Sequence, residues 1–445
     1  MSNITAFGIR GYLIDAPKFG SLRSWRDGAL VIEDGKITDV GDYDTLKKKP
    51  RPHKLRWLHG PHTLIIPGLI DGHAHLPQYP SVAKAGGELL PWLRQHIFPV
   101  EKEFTGAKAR KQSAQFFDEV ARHGTTSIGL FTAIYEDSCD AAFVAAEKKG
   151  IRAMIGKVMM DVGSYGSLQP RKVVSISLLE TERLAKKWNG KNDGLLDYAV
   201  SPRFAVSCSE KMLRGAAEIA SEYNTYVQTH LSENLGEIEM VRHLFPNSKD
   251  YTDVYDQCGL LGPKTLLGHG IHLSERETSV IAERKSRIAH CPTSNLFLGS
   301  GIMPVNTWRQ RGITLGLGSD VAAGPEINMW QVMRASVESQ QARSFYDKNL
   351  TPITTAEAFH LATAGGADAL GKLPNIGTLH TGKDADLAVL DIASLLPYHK
   401  LSNSGPDISP EDLLALCVYR ANSGNVLETF VRGRSIYRAP EPALF

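Results

Sequence analysis

Long apolar runs are missing from this 445-residue chain: no stretch approaches the ~18 consecutive apolar residues that a membrane span requires. The opening MSNITAFGIRGYLID lacks a charged leader followed by an extended apolar segment, so no targeting peptide is expected there. A surplus of charge is missing too. The 50 basic and 48 acidic side chains leave a formal +2, which gives no basic field for nucleic acid or an anionic membrane. The one basic run, KKKPRPHK at 47–54, reads as a solvated loop. Cysteine is scarce. Cys139, Cys208, Cys258, Cys291 and Cys417 are odd in number, widely spread and without a C-x-x-C pair, which argues against a disulfide framework or a cysteine-rich structural zinc site. Reduced packing thiols and a cytoplasmic location are the expectation. Glycine-rich stretches occur, such as AGG at 85–87, but G-x-x-x-x-G-K-[ST] and G-x-G-x-x-G do not, so no phosphate cradle is read from them.

What is there is an ordinary globular composition, 42% hydrophobic and 22% charged, with a small molecule as the expected partner and neither nucleic acid nor membrane. The stretch GALVIEDGKITDVG alternates apolar and polar positions around an Asp-Gly, a hairpin signal, and IGTLHTGKDADLAVLDI and LETFVRGRSIYR near the other end are also strand-like. Residues 1–66 and 373–445 are therefore assigned to one small, discontinuous β-sandwich domain. Between them, eight apolar strand-length runs alternate with helical stretches: TLIIPGLIDGHAH, TTSIGLF, IRAMIGKVMMD, LLDYAVSP, TYVQTH, TLLGHG, SRIAHCP and ITLGLGSD. Eight βα units predict a (β/α)₈ TIM barrel over 67–372, an α/β fold somewhat longer than the usual ~250 residues.

A barrel of this kind carries its site at the C-terminal ends of its strands, and that is where the polar residues fall. The first run ends in His73 and His75, the fourth in Ser201-Pro202-Arg203, the fifth in His230, the sixth in His269 and the eighth in Ser319-Asp320. His73 and His75 are two apart and so point to one side of a strand. Singly, each has a bland alternative: a strand-end His is more often hydrogen-bonded structure, and Asp320 equally suits a helix cap. Jointly, four His and one Asp converging on one barrel mouth point to a catalytic metal. Imidazole with one carboxylate suits Zn²⁺, with Fe²⁺ as the alternative, and excludes a Ca²⁺ or Mg²⁺ cage. Such an ion keeps a position open for water and lowers its pKa towards neutrality. Glu233, three residues beyond His230, suits a proton shuttle next to that metal; its bland reading is a helix-dipole or capping residue. Cys291, in HCPTSN, reads as a packing thiol rather than a nucleophile.

The stretches PGLIDGHAHLPQYP, SPRFAVSCSE, QTHLSENLGEIE, LLGHGIHLS, HCPTSNLFLGSG and GLGSDVAAGP resemble the amidohydrolase superfamily, and HAHLPQY, SPRF with SCSE, and QTHLSEN are similar to its guanine-deaminase branch. The resemblance covers nearly the whole chain. It implies one Zn²⁺ per chain on His73, His75, His230 and Asp320, with His269 orienting the attacking water. It makes Glu233 the proton shuttle and Asp320 an acceptor of the water's proton. It also implies a purine pocket lined by His75, Gln78, Arg203, Phe204, His230, Glu233 and Asp320, with Arg203 facing the ring's carbonyl oxygen. Guanine would be hydrolysed to xanthine and ammonia, by a homodimer. The fourth strand ends in Ser201-Pro202-Arg203 where two-metal relatives carry a bridging Lys, and Lys157 sits inside the third run, so a single metal is expected. Two rivals remain: a deaminase of oxidised guanine (8-oxoguanine), a pterin, a triazine or cytosine, and a non-catalytic scaffold of the same fold.

Overall fold

The alternation around Asp34-Gly35 builds the expected hairpin. In the computed structural model, β1 (Ala6–Lys18) pairs antiparallel with β2 (Ser21–Glu33), and β2 with β3 (Lys36–Asp42), across a turn in which Asp34 and Gly35 both have positive φ. β4 (Arg56–Leu58) and β5 (Thr63–Pro67) run parallel to β1. The structure describes residues 6–51, 54–84, 87–163, 170–397 and 406–440; the basic run at 47–54 and the glycine stretch at 85–87 lie partly outside these.

Beyond Pro67 the chain crosses Gly68 into a second sheet. A Cβ at Gly68 would lie 2.1 Å from Thr126 Oγ1, so this crossing is open only to glycine. The second sheet consists of β6 (Leu69–His75), β7 (Thr125–Phe131), β8 (Arg152–Gly156), β9 (Val158–Met159), β10 (Leu196–Pro202), β11 (Tyr226–Leu231), β12 (Thr265–His269), β13 (Arg287–His290) and β14 (Thr314–Leu317). All pair in parallel in the order β14-β13-β12-β11-β10-β8-β7-β6, with β9 extending the third run beside the upper end of β10. Backbone bonds from Asp320 N to His73 O (2.7 Å) and from His75 N to Val321 O (2.8 Å) bring the last strand's end to the first, and the sheet is a (β/α)₈ barrel. β6, β7, β8 and β10 are buried along their whole length, which is why they read as continuous apolar runs rather than alternating ones. The first run was read as one strand but spans two sheets, with β5 in the small sheet and β6 in the barrel.

β15 (Leu387–Asp391), β16 (Val426–Val431) and β17 (Arg434–Arg438) complete the small sheet in the order β17-β16-β15-β5-β1-β2-β3. That sheet doubles over on itself. Ile37 N donates to Lys383 O (2.9 Å) and Ala385 N to Gly35 O (2.8 Å), enclosing Ile9, Leu13, Ile32, Ile65, Leu387, Val389 and Phe430. The expected sandwich is thus one continuous sheet folded back. We propose the domain division at 66/67 and 372/373, because the chain leaves the small sheet across Gly68 and re-enters it after the helix Ala364–Ala369. At the junction, buried Arg152 of β8 donates to Asp384 (2.9 Å) and Asp386 (3.0 Å) of the C-terminal segment.

Candidate active site

The closed barrel gathers its strand ends into one buried cluster. His73 Nε2 lies 3.4 Å and His75 Nε2 3.2 Å from Asp320 Oδ1, and His75 Nε2 lies 3.0 Å from His230 Nε2. His269 Nε2 stands 3.7 Å from Asp320 Oδ2. Ligand atoms of His73, His230, His269 and Asp320 all lie within 4.8 Å of one another, with His75 in contact at the side of this group. Close packing is built in: a Cβ at Gly268 would lie 2.7 Å from the His73 ring, and Phe131 stacks on His75 with centroids 4.7 Å apart.

The donor set fits a divalent cation. His230 Nδ1 donates to Arg203 O (2.7 Å), which turns the lone pair of its Nε2 into the cluster, the tautomer of a metal-binding imidazole. Burial, then the neighbouring imidazoles, hold His230 well below the usual histidine range, and burial pushes His75 down to about 4, so both are neutral donors at pH 7. Burial raises the Asp320 carboxyl, but the close approach of the His73 and His75 rings outweighs it and holds Asp320 well below the usual carboxylate range. His73 Nε2 and His269 Nε2 are buried with no hydrogen-bond partner among the described residues. Converging unpartnered nitrogens around one carboxylate make up an electron-rich cavity that a cation completes.

The capping readings of Glu233 and Asp320 do not hold. The helix Leu235–Leu244 is capped by Asn234 with Glu237 in a capping box, and Asn328 caps the helix that follows Asp320. Glu233 is free for chemistry: it is buried, with Oε2 3.4 Å from His269 Nε2 and Oε1 accepting from Ser300 Oγ (3.4 Å). Burial, with the Asp320 charge adding to it, pushes its carboxyl well above the usual range, which suits a group that has to carry a proton. His269 is oriented from behind by Asn295 Oδ1 at 2.9 Å from its Nδ1.

Beside the cluster lies a pocket lined by His75, Gln78, Arg203, Phe204, His230, Glu233 and Asp320, so every residue expected at the purine faces one cavity. Leu89, Trp92 and Leu93, from a segment that inserts between β6 and β7, cover it and pack on Phe204, Leu298 and Ala323. Sequence reading missed this cover, Glu101, Asp71 and Asn295. For Asp71 a signal existed, since in LIDGHAH the alternation that pairs His73 with His75 also places Asp71 on their side. For Glu101 there was none, because only the fold brings it to Arg203. Lys157 is buried away from the cluster against Ser177 Oγ (2.9 Å) and Glu180 (3.3 Å), and Ser201 is engaged by Gln228 (2.9 Å). Cys291 is a buried thiol whose pKa burial pushes up, as expected of a packing residue.

The model of the amidohydrolase family matches residues 64–436. The chain is 36% identical to a guanine deaminase of Escherichia coli (strain K12), covering 97% of this chain and 98% of that one. It is 35% identical to a guanine deaminase of Rattus norvegicus, covering 92% of each. Its fold superimposes with a TM-score of 0.89 on a guanine deaminase from C. acetobutylicum with guanine bound in the active site, at 32% identity, covering 97% of this chain and 100% of that one.

Proposed function

This chain belongs to the amidohydrolase family, and we propose that it is a hydrolase of cyclic amidines that converts guanine and water to xanthine and ammonia. The observation that carries the reading is the union, in one pocket, of the His–Asp cluster, a buried Glu233, and Gln78 beside Arg203.

A divalent ion, Zn²⁺ by the chemistry of the donors and Fe²⁺ as the alternative, would be held by His73, His75, His230 and Asp320. When bound it supplies the Lewis acidity that makes water nucleophilic at neutral pH. The protein's own residues do the rest. Glu233 gives its proton to the ring nitrogen next to the carbon bearing the exocyclic amine, which makes that carbon electrophilic; it then takes up the proton that the adduct's hydroxyl loses as the new carbonyl forms, hands it to the departing amine, and is restored by the proton that Asp320 took from the water. Asp320, kept anionic, accepts the proton of the attacking water. His269, fixed by Asn295, orients that water. Arg203 presents a rigid fork of N–H donors to the ring's carbonyl oxygen and stabilises charge as it develops there. Phe204 and the Leu89–Leu93 cover exclude bulk water from the ring.

The protein as a cytoplasmic homodimer belongs to the same proposal. The five cysteines are all free and buried, which suits a reducing compartment, and no helix among the described residues is long and apolar enough to cross a membrane. The experiment is ammonia release by metal-replete protein on a panel of guanine, 8-oxoguanine, a pterin, a triazine and cytosine, with zinc and iron content measured. Guanine is expected to be clearly the best substrate; no ammonia from guanine overturns the reading.

A further inference from the structure

Gln78 and Arg203 share a partner that does not line the pocket. Glu101, on the short helix Phe98–Lys102 of the covering segment, is fully buried. Its Oε1 accepts from Gln78 Nε2 at 2.9 Å, and Arg203 Nη1 donates to Oε1 at 2.9 Å and to Oε2 at 2.7 Å. The other end of the Gln78 amide, Oε1, is buried and without a hydrogen-bond partner among the described residues, in a side chain that lines the pocket.

A carboxylate paired with a guanidinium only accepts hydrogen bonds, so the end of Gln78 that meets it has to be the NH₂. This fixes the amide orientation, otherwise ambiguous, and leaves Gln78 Oε1 facing the pocket as an acceptor beside the donors of Arg203. We propose that Glu101 is the positioning residue that sets ring selectivity: it locks Gln78 as an acceptor and Arg203 as a donor, so that the pocket takes a lactam, with its N–H beside a C=O. The inference rests on the guanine reading and deepens it. Guanine presents a lactam edge. A purine with a bare ring nitrogen in place of the N–H sets lone pair against lone pair at Gln78, and a buried polar group left unpaired in this way is what gives strong discrimination.

The test compares kcat/KM for guanine and 2-aminopurine, which carries the same exocyclic amine but neither the lactam N–H nor the carbonyl. In Glu101→Gln the amide oxygen takes the place of Oε2, where Arg203 makes its shorter bond of 2.7 Å, and the NH₂ takes the place of Oε1 and faces Gln78. Gln78 turns over and puts its own NH₂ into the pocket. Guanine turnover is expected to fall by about 10- to 100-fold and 2-aminopurine turnover to fall much less, narrowing the ratio at least about tenfold. Glu101→Asp, still acceptor-only, is expected to keep the wild-type ratio. Equal losses on both substrates in Glu101→Gln, as a merely structural role would give, overturn the proposal. Should Glu101→Gln not fold, the same ratio is measured on Gln78→Met, which removes the acceptor and leaves the Glu101–Arg203 pair; an unchanged ratio there also overturns it. Wild-type protein inactive on guanine overturns the underlying reading instead, and is seen before any variant is compared.

Discussion

The carboxylate of Asp71 fastens the first barrel strand to the end of the last one at the level of the His–Asp cluster. Its Oδ2 accepts from Ser319 Oγ at 2.6 Å, and its Oδ1 accepts from the backbone N–H of Ser319 at 2.9 Å and of His73 at 3.2 Å. His73 and Asp320 each adjoin one of these bonds, so Asp71 sets the spacing of two proposed ligands without touching the ion. Asp71→Ala is expected to weaken metal affinity by about 10- to 100-fold, with activity recovering at high zinc. Competition against a chromophoric chelator measures this, and wild-type affinity in the variant would count against the role.

Burial and the Asp320 charge disfavour the anion of Glu233 and push its carboxyl up. Glu233→Gln is close in shape but cannot cycle a proton, so ammonia release should drop by about 10²- to 10⁴-fold while metal stoichiometry stays that of the wild type. Retained turnover in a metal-loaded variant would remove Glu233 from the mechanism.

Arg203, proposed to face the substrate, is also the counter-charge of a buried Glu101. Arg203→Ala leaves that carboxylate unpaired and should cost about 3–5 kcal/mol of stability. Adding Glu101→Gln removes the stranded charge, so the double variant should be more stable than Arg203→Ala alone. Denaturant titration of both decides, and simple additivity of the two losses would contradict the charge argument.

The strands were legible because a parallel barrel strand is buried on both faces and shows as an unbroken apolar run closed by a polar residue, as in TYVQTH and ITLGLGSD. The cluster was legible for the same reason: His73, His75, His230, His269 and Asp320 all end such runs. Residues that hold the site by hydrogen bonds from other elements left no such mark. Asn295 and Glu101 each sit within a short helix, and neither spacing nor alternation says that the fold aims them at His269 and Arg203. The small sheet was read from its hairpin pattern, but its doubling over could not be, because Ile37 and Lys383 meet only through the return of the chain after the barrel.

The junction between the sheets gives an acid-sensitive contribution to stability. Asp384 accepts from Lys36 (2.7 Å), Arg152 (2.9 Å) and Arg432 (3.2 Å). Burial alone would raise its pKa, but the Lys36 hydrogen bond and the charges of Arg152, Lys36 and Arg432 outweigh it and hold the carboxyl below its ordinary value. With the folded pKa depressed, the unfolded chain takes up this proton first as the pH falls. The stability Asp384 contributes is therefore complete above the ordinary carboxylate pKa of about 4 and is lost as the pH drops through the lower folded value. Asp384→Asn carries no such proton linkage. It should be clearly less stable than the wild type at pH 7, because Arg152 loses a charged partner, and the difference should shrink as the pH is lowered from about 5 to about 3. Urea denaturation at both pH values measures the two differences, and a gap that stays constant across the range would show that Asp384 keeps the same charge in the folded and unfolded chain.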